Sequence, residues 1–174
     1  MRQNDLSVSQ ELDEKDSYVR KTLTKTLLKL LKDESLKEIS ISSLCDIAGV
    51  GRASFYRNFK SKEDILKQYD QKLIKKWGEA FEQDENSTIE LLIPSLLIHY
   101  KKYKDFYFIV YRENLSSLVL DTILHACKLQ EKSTNIEAYV TSFIGYGLFG
   151  IVNEWIGRGM EETPEQLLSY INQK

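Results

Sequence analysis

The residue types that most often carry chemistry are few in this chain and poorly spaced for it. His99 and His125 lack a companion His or carboxylate at close helical ligand spacing, and Cys45 and Cys127 share no CxxC pattern, so no metal site or redox pair is expected. Both cysteines read as reduced helix residues. No Gly-rich phosphate loop, nucleophile elbow or paired metal-ligand motif occurs, so the expectation is no enzyme, no catalytic residue and no cofactor. The informative run is Gly51-Arg52-Ala53-Ser54. Small and polar side chains at the start of a short helix let its backbone enter the major groove of a duplex. There the planar fork of Arg52 can bind guanine O6 and N7 together, Ala53 can touch a thymine methyl, and Ser54 can bond a base or a phosphate. Ser42 and Ser43, in the preceding short segment, are candidates for a further phosphate or base contact. Phe55 and Phe59 lie in the same stretch but read as core.

Such side chains work only if a small helical scaffold holds them. Asp16 or Ser17 can cap a first amphipathic helix with apolar positions Val19, Leu23, Leu27, Leu30 and Leu31. Ser40 can cap a short second helix, Ile41 to Ala48, burying Ile41, Leu44 and Ile47 or Ala48, and Gly49 then supplies the tight turn. A third short helix follows from about Arg52 to Asn58. Ser61 starts a long fourth helix, with Asp64 in a capping-box-like position and an apolar stripe from Ile65 to Phe81. Residues 1–15 are polar, aperiodic and net acidic, which reads as a disordered tail without the Arg/Lys cluster of a minor-groove arm.

The polar stretch Gln83 to Ser87 breaks the pattern and separates residues 16–82 from a second helical region, 87–174. Its expected helices are Thr88 to Lys102 with Pro94 as a kink or first-turn residue, Asp105 to Arg112, one capped by Asn114 and running to about Lys132, Asn135 to Arg158 closed by Gly159, and a last one opened by Thr163-Pro164-Glu165-Gln166. The fold class is therefore all-α, with about nine helices. Gly and Pro together are scarce, which agrees with helix over loop-rich architecture.

Charge is divided between these regions. The net charge is -2, yet residues 17–76 carry fourteen Lys/Arg against seven Asp/Glu, while residues 77–174 carry eight against fourteen. A basic segment attached to an acidic one concentrates the affinity for phosphate at one part of the chain. No apolar run is long enough to span a bilayer and the N-terminus lacks a signal-peptide pattern, so a cytoplasmic protein with no membrane partner is expected.

Residues 39–66, ISISSLCDIAGVGRASFYRNFKSKEDIL, resemble the TetR/AcrR signature through Ala48-Gly49-Val50, Phe55-Tyr56, Phe59 and Ser61-Lys62-Glu63-Asp64. The resemblance implies an N-terminal three-helix helix-turn-helix headpiece followed by a helical ligand and dimerisation domain. It also implies phosphate contacts from Tyr56 and Lys62, a homodimer bound to double-stranded operator DNA, and a transcriptional regulator, most often a repressor released by an effector. The alternative it leaves open is an activator or co-regulator controlled by a protein partner. Gly51 departs from the family's usual Ser or Thr at the cap of the recognition helix. Phe143 to Gln166 is similar to the C-terminal domain of a Gram-positive TetR subgroup that includes dihydroxyacetone-kinase regulators. In the family the last two long helices pair with their two-fold mates, which makes Leu148, Ile151, Trp155, Leu167, Leu168 and Ile171 the interface candidates. Gly145, Gly147 and Gly150 each cost such a helix about 1 kcal/mol relative to Ala, and close helix packing is the expected compensation. The aromatic run around Tyr100, Tyr103, Tyr107 and Tyr111 is the candidate ligand pocket, suited to a mostly apolar or aromatic small molecule, with ordinary core as the other reading.

Overall fold

The computed structural model describes the backbone of residues 3–126 and 134–172, with side chains described for residues 16–88, 90–125 and 134–170. Among the described residues there are nine helices and no strand. The chain divides into two compact units, Met1–Tyr69 and Asp70–Lys174. This division falls inside the fourth helix. Asp70 and Trp77 bond residues of later helices, Tyr107 and Ser95, which draws the second half of that helix into the second unit.

The first unit holds α1 (Gln3–Leu30), α2 (Ile41–Ala48), α3 (Arg52–Asn58) and the start of α4 (Lys62–Gln83). Helix α1 begins before Asp16 and takes in residues 3–15, most of the stretch read from sequence as a tail. That stretch contains no Gly or Pro, and extending a formed helix needs no new nucleus. Val19, Leu23, Leu27 and Leu31 recur at four-residue spacing and are buried, as are Leu44 of α2 and Phe55 and Phe59 of the α3 segment, and α1 packs on both α2 and α3. Each such side chain contributes roughly 1.5–3 kcal/mol by leaving water.

Helix α2 is capped by the Ser40 hydroxyl, which accepts from the Ser43 amide at 3.0 Å, and ends at Gly49 with φ +63°. Its buried face is Leu44 and Cys45; of the two alternatives Ile47 and Ala48, Ile47 is 59% exposed and Ala48 is half-buried. With only eight residues, α2 buries a narrow stripe, and Ile47 lies beyond its edge. Cys45 is a free buried thiol, and Cys127 lies outside the described residues.

The second unit contains the rest of α4 with α5 (Ile89–Lys102), α6 (Lys104–Arg112), α7 (Ser117–Ala126), α8 (Asn135–Gly157) and α9 (Pro164–Asn172). Pro94 lies inside α5, past its first turn. Asn114 does not cap α7: it takes φ +59° in the turn before it, a backbone region Asn tolerates, and α7 starts at Ser117. The expected end of that helix near Lys132 lies outside the described residues. Helix α8 opens with a reciprocal capping box between Thr134 and Glu137 and closes before Gly159, whose φ is +84°. Helix α9 has the expected box: the Thr163 amide donates to Gln166 Oε1 at 2.8 Å, and the Gln166 amide donates to Thr163 Oγ1 at 3.2 Å. Among the described residues no helix is long and apolar enough to cross a membrane.

Candidate nucleic-acid interface

The short helix α3 is held differently at its two ends. At its start Gly51 has extended backbone, φ -65° and ψ 143°, and provides no side-chain cap. The absence of a side chain leaves the helix entrance open. Arg52 and Ala53 at the first turn and Tyr56 one turn on are exposed, Tyr56 by 62%, while Ser54 is half-buried. Arg52, Ala53 and Tyr56 share a helix face by their spacing, and Phe55 and Phe59 occupy the opposite, buried one. Ser42 and Ser43 are exposed on α2. The expected base-reading and phosphate-contacting residues of α2 and α3 are thus accessible, with Ser54 the least so.

Lys62, the other residue expected at phosphate, bonds within the first unit. Its ammonium donates to the main-chain carbonyls of Leu36 and Ile39, in the turn between α1 and α2. Two of the three ammonium hydrogens therefore tie α4 to that turn, and one remains for another acceptor. Ser61 caps α4 by accepting from the Asp64 amide at 3.2 Å. The reciprocal bond of a full capping box is shifted by one residue: Asp64 Oδ2 accepts from the Lys60 amide at 2.8 Å. The carboxyl is one methylene shorter than that of Glu.

Asn58, which the sequence presents only as the end of α3, is 6% exposed and fully bonded. Its Nδ2 donates to Ser54 O at 2.9 Å and to Asp16 Oδ1 at 3.3 Å, and its Oδ1 accepts from Arg20 Nε at 2.9 Å. Its main-chain carbonyl accepts from Gln68 Nε2 of α4 at 3.2 Å. No periodicity marks an inward-facing amide at a helix terminus, so pattern reading passes over it.

In the second unit the aromatic residues separate into core and surface. Tyr100 and Tyr107 are wholly buried with ring centroids 4.6 Å apart, Tyr103 is half-buried, and Tyr111 is exposed. Around the buried pair lie ionisable groups. The Tyr107 hydroxyl donates to Asp70 Oδ1 at 3.0 Å and lies 3.4 Å from His99 Nε2. Burial pushes the Asp70 carboxyl up to about 7; the Tyr107 and Thr122 hydroxyls pull it back and Asp121 adds to the rise. Burial also takes His99 down to about 4, helped by the nearby Lys102 charge. Among the described residues no His/Cys/Asp/Glu group could hold a metal ion.

The interface candidates divide as well. Leu148 and Trp155, the latter 2% exposed, are buried within the chain. Ile151, Leu167 and Leu168 are half-buried, and the side chain of Ile171 lies outside those described. The exposed apolar residues of α8 are instead Ile136, Tyr139, Val140, Phe143, Ile144 and Tyr146. Gly147 and Gly150 have nothing within 4 Å of where a Cβ would stand, so no packing inside the protomer compensates for them. Lys101 of α5 holds the turn between α8 and α9, donating to the carbonyls of Met160 and Glu162.

Comparison with known proteins finds two family matches, one in each unit. Residues 23–69 match the family of bacterial regulatory proteins described as the tetR family, and residues 87–173 match a transcriptional regulator C-terminal region. No curated protein matches the chain.

Proposed function

The chain belongs to the TetR family of bacterial regulatory proteins, and we propose that it is a homodimeric repressor that grips an inverted-repeat operator and releases it when an effector acts on the second unit. The observation that carries the DNA-binding part is the exposed face of α3, with Arg52 and Ala53 presented at an open, glycine-led helix start. Arg52 and Ala53 read base edges, while Tyr56, Ser42 and Ser43 bond phosphate or sugar and fix register.

The dimer surface in this reading is the exposed side of α8, Ile136, Tyr139, Val140 and Phe143, continuing over Gly147 and Gly150. A contiguous exposed apolar face is a feature of surfaces that bind another protein. The open glycines favour the same surface, since they let a second helix approach where none does within the protomer. Release follows from α4, a single helix shared by both units. An effector that favours one α4 setting by 1–3 kcal/mol changes operator affinity roughly 5- to 150-fold.

Selection of duplexes from a random pool tests the reading. The expected product is an inverted repeat whose half-sites lie about 34–36 Å apart or a multiple of that, with binding lost when the spacer changes by about five base pairs. Failure to bind any duplex at low salt would leave the α8 face as the working surface and make the chain a protein-binding module.

A further inference from the structure

We infer that Asn58 is a positioning residue that sets the tilt of the recognition helix α3, so that operator discrimination depends on its side-chain amide. The inference rests on the DNA-binding reading and goes beyond it by assigning specificity to a buried residue that touches no DNA.

Helix α3 has only seven residues and no side-chain cap at its start, so its direction must be set elsewhere. Phe55 and Phe59 decide which face is buried, but apolar contact is non-directional and allows a short helix to rock. Hydrogen bonds supply the missing direction. Asn58 is the one polar side chain buried in the first unit among the described residues. Its amide ties the end of α3 to α1 through Asp16 and Arg20, and its carbonyl ties the same residue to α4 through Gln68. Gln68 is itself fixed by donating to Asp64 Oδ2 at 3.1 Å, the oxygen that also accepts from the Lys60 amide. Three helices are thus referenced to one residue. Arg57, next in the chain, adds a 3.9 Å ion pair to the same Asp16.

The chemistry of the site demands an amide. Two donor hydrogens meet the carbonyl of Ser54 and the carboxylate of Asp16, and one acceptor meets the Arg20 guanidinium. Aspartate at this place has the same shape but no donor, and would set its charge against Asp16 and Ser54 O. Leucine fills the space and satisfies none of the three partners. A tilt error at α3 moves Arg52 and Ala53 relative to base edges, where bidentate geometry is strict, but leaves charge near the phosphates unchanged.

The test uses the full chain, an operator selected with the wild type, and a random duplex of equal length. For Asn58→Leu the affinity for the operator is expected to fall ~10- to 100-fold while that for the random duplex stays within about two-fold, because only base readout depends on alignment. Simple loss of folded protein would lower both affinities by the same factor and leave their ratio unchanged; that outcome, or no change in either, overturns the inference. Asn58→Asp is expected to lose the ratio too, and combining it with Asp16→Asn, which restores a donor across the same gap, to recover part of it. Equal ratios in the single and double variants would also overturn it. If the wild type selects no operator, the DNA-binding reading fails first, and that failure is distinguishable from this one.

Discussion

The two units solve the problem of buried polarity in opposite ways. In the first, the buried polar side chain among the described residues is a neutral amide whose donors and acceptor are all matched, inside a core otherwise built of Leu, Ile, Val, Phe and the Cys45 thiol. In the second, the buried polar groups are Asp70, His99 and Thr122, two of them ionisable and both far from their ordinary pKa values. The surfaces differ in the same sense. The first unit exposes charged and polar side chains around α3, whereas the second leaves a long apolar face on α8 uncovered. A matched neutral core gives one fixed geometry, which suits a surface that must register with a duplex. A core holding ionisable groups and an uncovered apolar face suits a unit that responds to partners.

Placing a charge on the exposed face of the second unit is the harshest way to break this comparison. Phe143 is 82% exposed, so Phe143→Glu should leave the protomer folded while setting two carboxylates against each other in the dimer. Sedimentation should then report a monomer, and operator affinity should fall by about 100-fold or more as the two half-sites cease to be bound together. A variant that stays dimeric would move the interface off this face.

The corresponding change in the first unit is Arg52→Ala, expected to cost ~1–3 kcal/mol and to relax preference at one base position. Base preferences that stay the same would remove Arg52 as a reader. Lys62→Ala sharpens the result. Since its ammonium is bonded to the Leu36 and Ile39 carbonyls, it should lower thermal stability and change the salt dependence of binding by less than the roughly one unit per phosphate contact of a dedicated anchor.

How much of this was legible in the sequence follows from which signals are local. Caps and periodic stripes are local: Ser40, Thr163-Pro164-Glu165-Gln166, Gly49 and Gly159 all stand where the chain pattern put them, and Phe55 and Phe59 are core. The accessible candidates on α2 and α3 follow from the same motif. Partner choice is not local. Nothing in the sequence says that Lys62 would find two carbonyls across the unit, that Asn58 would turn inward, or that Trp155 and Leu148 would face their own protomer. Helix α8 is apolar nearly all round, so its pattern could not say which side is core and which is surface.

A smaller effect probes the packing of α6 on α8 in the second unit. A Cβ on Gly157 would stand 2.6 Å from the Tyr111 hydroxyl, too close for real atoms. Tyr111 is exposed and can swing away, so Gly157→Ala should cost only about 1 kcal/mol, against a helix-propensity gain of about the same size. In a Tyr111→Ala background the clash is gone and only the gain remains. Chemical unfolding of the four proteins of this cycle should therefore give nearly no change for Gly157→Ala in the wild type and a gain of about 1 kcal/mol in the Tyr111→Ala background. Equal values would mean that the two residues do not meet.

The ionisable pair gives the smallest net effect in the wild type and the clearest distinction between the units. Asp70 has its pKa raised from 3.8 to about 7, so the stability it allows is fully present below pH 3.8 and is lost as pH rises through about 7. His99 has its pKa lowered from 6.5 to about 4, so its contribution is present above pH 6.5 and is lost as pH falls through about 4. Between pH 4 and 7 the two slopes oppose, and the wild type should vary little. Single substitutions remove the balance. Asp70→Asn should leave the second unit losing stability toward acid, and His99→Gln should leave it gaining stability toward acid, each with a slope of at most ~1.4 kcal/mol per pH unit. Both tryptophans, Trp77 and Trp155, lie in the second unit, so their fluorescence during urea unfolding reads that unit directly. Asn58 has no charge to gain or lose in this range, and Asn58→Leu should leave the tryptophan-reported pH profile unchanged. Parallel pH slopes in Asp70→Asn and His99→Gln would show that the buried groups of the second unit do not titrate as a matched pair, and the contrast between the two cores would lose its electrostatic basis.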